Sequence, residues 1–131
     1  MVWGNFSSRG HVVVLVDNLE ASLAFYRDVL GLDVVWDDHP HPHPRPERGG
    51  APRPNFGVWL MAPSNPQETA LVGRQAGNRP LLVMVTEDLP RIRRHLVAHG
   101  VDVWAERRDA RGHSLHFSDP HGNVIVASQP R

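Results

Sequence analysis

The sequence predicts an α+β fold in which one βαβββ unit occurs twice. Two observations carry that reading. Uninterrupted β-branched runs at His11–Val16 and Leu81–Thr86 are each followed by a cappable helix, a glycine and a new strand. The two halves also superpose as strings: His11 falls on Leu81, Asn18 on Asp88 and Leu19 on Leu89 at one offset, and Gly31-Leu-Asp-Val falls on Gly100-Val-Asp-Val at an offset one shorter. Such self-similarity is the mark of a repeated supersecondary unit, and coincidence between two ordinary strand-helix-strand segments is the weaker alternative. A unit of this kind cannot cover its own sheet, so the expected arrangement is a single domain over 1–131 made of modules at about 8–75 and 79–129.

Each element has a local reason. His11-Val-Val-Val-Leu-Val16 suits a strand covered on both faces. Asp17 is placed to cap the next helix, with Glu20 completing a capping box, and Leu19, Leu23, Tyr26 and Leu30 fall on one helical face. Gly31 stops that helix and Leu32–Trp36 resumes as a strand. From Asp37 to Pro54 the run of prolines cannot donate regular ladder bonds and little apolar surface is present, which predicts a loop. Asn55–Met61 and Thr69–Val72 are the next strand candidates. In the second half Asp88 caps a helix whose Leu89, Ile92 and Leu96 share a face; Gly100 stops it, and Val101–Trp104 is a strand. A hairpin closes the chain, with strands on either side of Ser118-Asp-Pro-His-Gly-Asn123, where Pro120 restricts one φ and Gly122 tolerates a positive one.

Composition narrows the function. The chain has 131 residues, with 14 basic against 14 acidic side chains, so it lacks the basic footprint that nucleic acid or an anionic membrane would require. It contains no cysteine, which removes disulfides, thiolate nucleophiles and Cys-bound zinc. No apolar run approaches the roughly 20 residues that span a bilayer, so a soluble cytoplasmic protein is expected.

The pattern His11-x6-Asn18-Leu-Glu20-x-Ser22-x2-Phe25-Tyr26-x3-Leu30-Gly31, followed late in the chain by Phe117-x-Asp119-Pro120-x-Gly122-Asn123, resembles the vicinal oxygen chelate superfamily. That superfamily includes glyoxalases, extradiol dioxygenases and bleomycin-resistance proteins. The resemblance implies paired modules whose curved mixed sheets enclose a cavity, helices on the outer face, and a homodimer. It also implies where a divalent metal would be held in the enzymes of the group. The first ligand position is His11, the second is Leu81 and the third is Val126. Hydrocarbon side chains have no lone pair to give, so no metal and no cofactor are expected, and the branch resembled is the bleomycin-resistance one.

The function expected is sequestration of a hydrophobic or aromatic small molecule, such as an antibiotic, in a cavity lined by His11, Val13, Leu15, Trp59, Leu81, Val83, Trp104, Ser114, His116 and Val126. Strand alternation puts Ser114 and His116 on the face that Val126 shares. Trp104 has the parity opposite to Val101 and Val103, which places it toward the cavity, while Trp36 has the parity of Leu32 and Val34 and reads as core. The face of Trp59 is left open, and Trp3 is a candidate for a dimer contact. Two enzyme readings stay open beside the binding one. One is a lyase, isomerase or dioxygenase with a metal site assembled from His11, His116 and a further donor; the other is a cofactorless enzyme using His116 as base. The tract His39-Pro-His-Pro-His-Pro44 invites a metal reading, but proline alternation spaces imidazoles along an extended chain, and a lid or partner-facing loop is the preferred reading.

Overall fold

A computed structural model describes residues 10–36, the backbone of 39–43, and 56–131. Trp3 and the rest of the proline-rich tract lie outside the described residues. The chain divides into two compact units, Met1–Val72 and Gly73–Arg131. Each carries one four-stranded mixed sheet with helix against it, so the fold is α+β.

The first unit runs β1 (Gly10–Leu15), α1 (Leu19–Leu23) continuing through a wider turn at Ala24–Val29, β2 (Asp33–Trp36), β3 (His39–His43), β4 (Phe56–Met61) and α2 (Pro66–Leu71). Its sheet order is β1-β4-β2-β3, with β4 parallel to both β1 and β2, and β3 antiparallel to β2. Val14, Val34, Val58 and Leu60 are buried completely and form the core of this sheet.

Four expectations are corrected in this unit. The helix is capped by Asn18, whose side chain accepts from the Ala21 amide at 3.0 Å, and not by Asp17. Its buried face is Ser22, Phe25 and Tyr26, whereas Leu19 of the expected stripe is 37% exposed. After Leu23 the backbone bonds run five residues back, as from the Leu30 amide to the Phe25 carbonyl at 2.9 Å, which moves the contact face off an ideal helical stripe. A strand occupies 39–43 where a loop is expected. His39, His41 and His43 donate from one edge of an extended chain, and Pro40 and Pro42 leave the other edge without donors. Such a strand can be fully paired on one side only, and it takes the outside place in the sheet. Finally, Thr69–Val72 lies largely in α2, not in a strand. Asn65 accepts from the Glu68 amide at 2.8 Å, Pro66 opens the helix, and the Glu68 carboxylate reaches back to the Ser64 amide and hydroxyl at 2.8 and 2.7 Å. Those two bonds hold the Glu68 carboxyl below its usual range.

The second unit runs β5 (Pro80–Val85), α3 (Leu89–Ala98), β6 (Val103–Asp109), β7 (Gly112–Ser118) and β8 (Val124–Pro130), in the sheet order β5-β8-β7-β6. Asp88 caps α3 as expected, accepting from the Arg91 amide at 3.2 Å. Leu89 and Leu96 of α3 are buried, as are Leu115, Phe117 and Ile125 on one face of the sheet. Gly31 and Gly100, at φ 72° and 74°, end the two main helices in the left-handed region.

The β7–β8 turn is closed by Asp119, which is 5% exposed. Its two oxygens accept from the His121 amide, the Asn123 amide and the Asn123 side chain at 2.9, 2.9 and 2.8 Å. The strand expected at Val101–Trp104 begins later and continues to Asp109, joined to β7 by a tight turn. Its charged residues Glu106, Arg107 and Arg108 fit an edge strand, where charge discourages further pairing.

Candidate ligand-binding faces

Each sheet has one face turned to its helix and a second face on which the sequence-derived cavity residues lie. In the second unit Val83 pairs with Val126, and Val126 with His116, so these side chains form a row across β5, β8 and β7. Ser114 and Ser128 are paired in the next row and Arg107 is opposite Ser114. Val83 and Val85 are 58% and 71% exposed, a large apolar area for the open side of a sheet.

Trp104 joins this row through an irregularity. Between Val103 and Ala105 the pairing with β7 slips, so Trp104 is an extra residue opposite a regular partner strand. Its indole lies 5.4 Å from the His116 ring, and its N–H donates to the Ser118 hydroxyl at 3.0 Å. The ring is thereby held beside His116, with Trp104 50% exposed. His116 Nδ1 is buried and has no hydrogen-bond partner among the described residues. Beside His116 a concavity of about 260 Å³ is lined by Val83, Val126, Ser114, Arg107, Arg111 and Asp109, among others.

In the first unit His11, Val13 and Leu15 pair with Gly57, Trp59 and Met61, which puts Trp59 on the His11 face and answers the question of its orientation. The His11 and Trp59 rings meet edge to face, with centroids 6.5 Å apart. His11 and Val13 are exposed, whereas Leu15 is buried. Trp59 Nε1 is buried and unpartnered among the described residues. Trp36 is opposite Leu60, on the core face.

Within its own sheet, therefore, the structure brings His11, Val13 and Trp59 together in the first unit, and Val83, Val126, His116, Ser114 and Trp104 together in the second. Leu81 lies at a slip in the β5–β8 pairing and is half-buried. Arg107, Arg111 and Ser128 are missing from the sequence-derived set and border the same concavity.

The three positions to which the resemblance assigns a metal do not fit one. His11 supplies one nitrogen, Leu81 and Val126 supply hydrocarbon, and Val126 is 7% exposed between Val83 and His116. One imidazole does not complete a metal coordination shell. Among the described residues no group of three His, Asp or Glu is close enough to hold an ion.

The repeated mixed sheets and the open apolar face on each define a class. A family model described as the Glyoxalase/Bleomycin resistance protein/Dioxygenase superfamily matches residues 8–127, and the chain belongs to that superfamily. It is similar to the crystal structure of TnmS3, an antibiotic binding protein from Streptomyces sp. CB03234, at 26% identity and a TM-score of 0.67 over 100% of both chains. A glyoxalase/bleomycin resistance protein from the same organism is 27% identical, with a TM-score of 0.60 over 94% of this chain and 100% of that one. An integron cassette protein from the mobile metagenome of V. cholerae shares the fold at 23% identity and a TM-score of 0.62, with 98% of each chain covered. No curated protein sequence matches the chain significantly. Among the described residues no helix is long and apolar enough to cross a membrane.

Proposed function

We propose that this protein binds and sequesters a hydrophobic or aromatic small molecule, an antibiotic being the first class to test, without a metal and without turnover. The observation that carries the reading is the row Val83–Val126–His116 with the half-exposed Trp104 ring against His116 at its end. Apolar area removed from water contributes about 25 cal/mol per Å², and a rigid indole adds stacking with little rotamer entropy to lose. The antibiotic binding by TnmS3, a similar chain along its whole length, supports the same reading. The proposal takes 1–131 as a single domain acting as a cytoplasmic homodimer, with His11, Val13, Leu15, Trp59, Leu81 and Ser114 as further ligand contacts.

The enzyme alternatives are weaker on chemistry. In a histidine-based active site an acceptor on the second ring nitrogen commonly orients the base, and His116 Nδ1 has none among the described residues. Calorimetric titration of metal-free protein against a panel of aromatic antibiotics tests the proposal, each ligand being recovered and weighed by mass spectrometry. Stoichiometric binding with unchanged ligand is the expected result. A transition metal that survives mild chelation at one per chain, or a product whose formation is abolished by His116→Ala, would overturn it.

A further inference from the structure

We propose that the concavity beside His116 takes an anionic edge of the ligand on Arg107, Arg111 and His116, with the ligand's ring directed toward Trp104 and Val83. The inference rests on the small-molecule reading above and names the chemistry of one end of that molecule.

The cavity volume of about 260 Å³ is below the ~300–1,000 Å³ of a complete drug-sized site, so it suits one end of a larger ligand. Its polar lining is unbalanced. The Arg107 and Arg111 guanidiniums have no carboxylate partner among the described residues. The opposing charge is Asp109, one of whose oxygens is engaged by the Arg111 amide at 2.8 Å. His113 also borders the cavity, but its Nε2 is committed to Glu106 at 2.8 Å. Two free cations against one partly occupied carboxylate favour an anion.

His116 points the same way. A buried N–H with no acceptor costs more than a buried bare lone pair, because unsatisfied donors are the rarer and harsher defect. Nδ1 is the buried nitrogen, unpartnered among the described residues, so the ring proton belongs on Nε2 and the imidazole offers a donor. Ser114 and Ser128 can donate as well. A ligand edge bearing a carboxylate or a phenolate meets these donors. An ammonium meets two guanidiniums.

The experiment titrates the full chain calorimetrically, at low salt and neutral pH, with three probes that share one ring system: 2-naphthoate, 2-naphthamide and 2-naphthylmethylammonium. The expected order is naphthoate tightest, by about 3- to 10-fold over the amide, with the ammonium weakest. Arg107→Gln with Arg111→Gln, both on exposed side chains, removes the preference of the protein for naphthoate over the amide. Asp109→Asn strengthens naphthoate. Equal binding of the three probes, preference for the ammonium, or a double variant that keeps the naphthoate preference overturns the inference and leaves the binding reading standing. No binding by any probe at millimolar concentration overturns both.

Discussion

The two units follow one chain order, strand–helix–strand–strand–strand, yet send one strand of it to different places. In the second unit β7 lies between β6 and β8, while in the first β3 lies outside β2, and β2 and β4 become parallel neighbours. The difference traces to hydrogen-bond supply. Gly112–Ser118 has an amide at every position, so β7 can be paired on both edges. His39–His43 has prolines at alternate positions, so one of its edges has nothing to donate. Helix signals and turns thus set which elements form, and donor availability sets where in the sheet each one goes.

The largest test of that comparison is removal of Phe117, which is 1% exposed in the central strand. Phe117→Ala is expected to cost about 3–5 kcal/mol in urea unfolding, because the cavity opens in the middle of a sheet paired on both sides. Next comes the contact peculiar to the first unit. A Cβ at Gly57 would collide with the Asp33 carbonyl, so the parallel β2–β4 pairing requires glycine there. Gly57→Ala is expected to cost about 2–3 kcal/mol, and hydrogen exchange should rise in β2 and β4 while β7 and β8 keep their protection. Unchanged exchange in β2 would break the comparison.

A smaller effect is expected where the comparison is reversed. Pro40→Thr with Pro42→Thr restores donors to the bare edge of β3, with a stability change of about 0.5 kcal/mol or less. The readout is concentration-dependent association in sedimentation, since an edge with donors can accept another strand.

The smallest effect concerns the charged edge of the second unit. The Glu106 carboxyl is held below its ordinary value of 4.5, first by the hydrogen bond from His113 and also by Arg93. A lowered carboxyl in the folded state contributes stability above the unfolded value and loses it as pH falls through the folded one. Wild-type protein is therefore expected to melt slightly above Glu106→Gln at pH 7, with the difference gone at the acid end of a series of melts run down to pH 2.

Much of the fold was legible because its signals are local. The β-branched runs at His11 and Leu81, the stop at Gly31, the Asp88 cap and the Asp119–Asn123 turn all act within a few residues. The parts that were not legible depend on partners. Nothing in His39-Pro-His-Pro-His43 says that β2 will lend it an edge. The Asn65-Pro-Gln-Glu68 cap of α2 was readable and competes with the β-branched look of Thr69–Val72. On the open face of the second sheet, the resemblance supplied Val126, and strand alternation from it gave the row that Val83 and His116 share with it. Arg107 did not, because the extra residue at Trp104 reverses the parity along β6, and alternation counted from Trp104 selects Glu106 and Arg108 instead.

The place of β5 has a consequence for synthesis. Its neighbour in the sheet is β8, which follows it in the chain after α3, β6 and β7 and is joined to it in parallel from Pro80 to Val85. As the chain leaves the ribosome, β5 and α3 emerge before that neighbour is made, so an aliphatic strand waits unpaired until Val124–Pro130 follows. A polypeptide cut between Val85 and Val124 keeps β5 and loses the strand it pairs with, so truncation there leaves an aliphatic strand without its neighbour in the sheet.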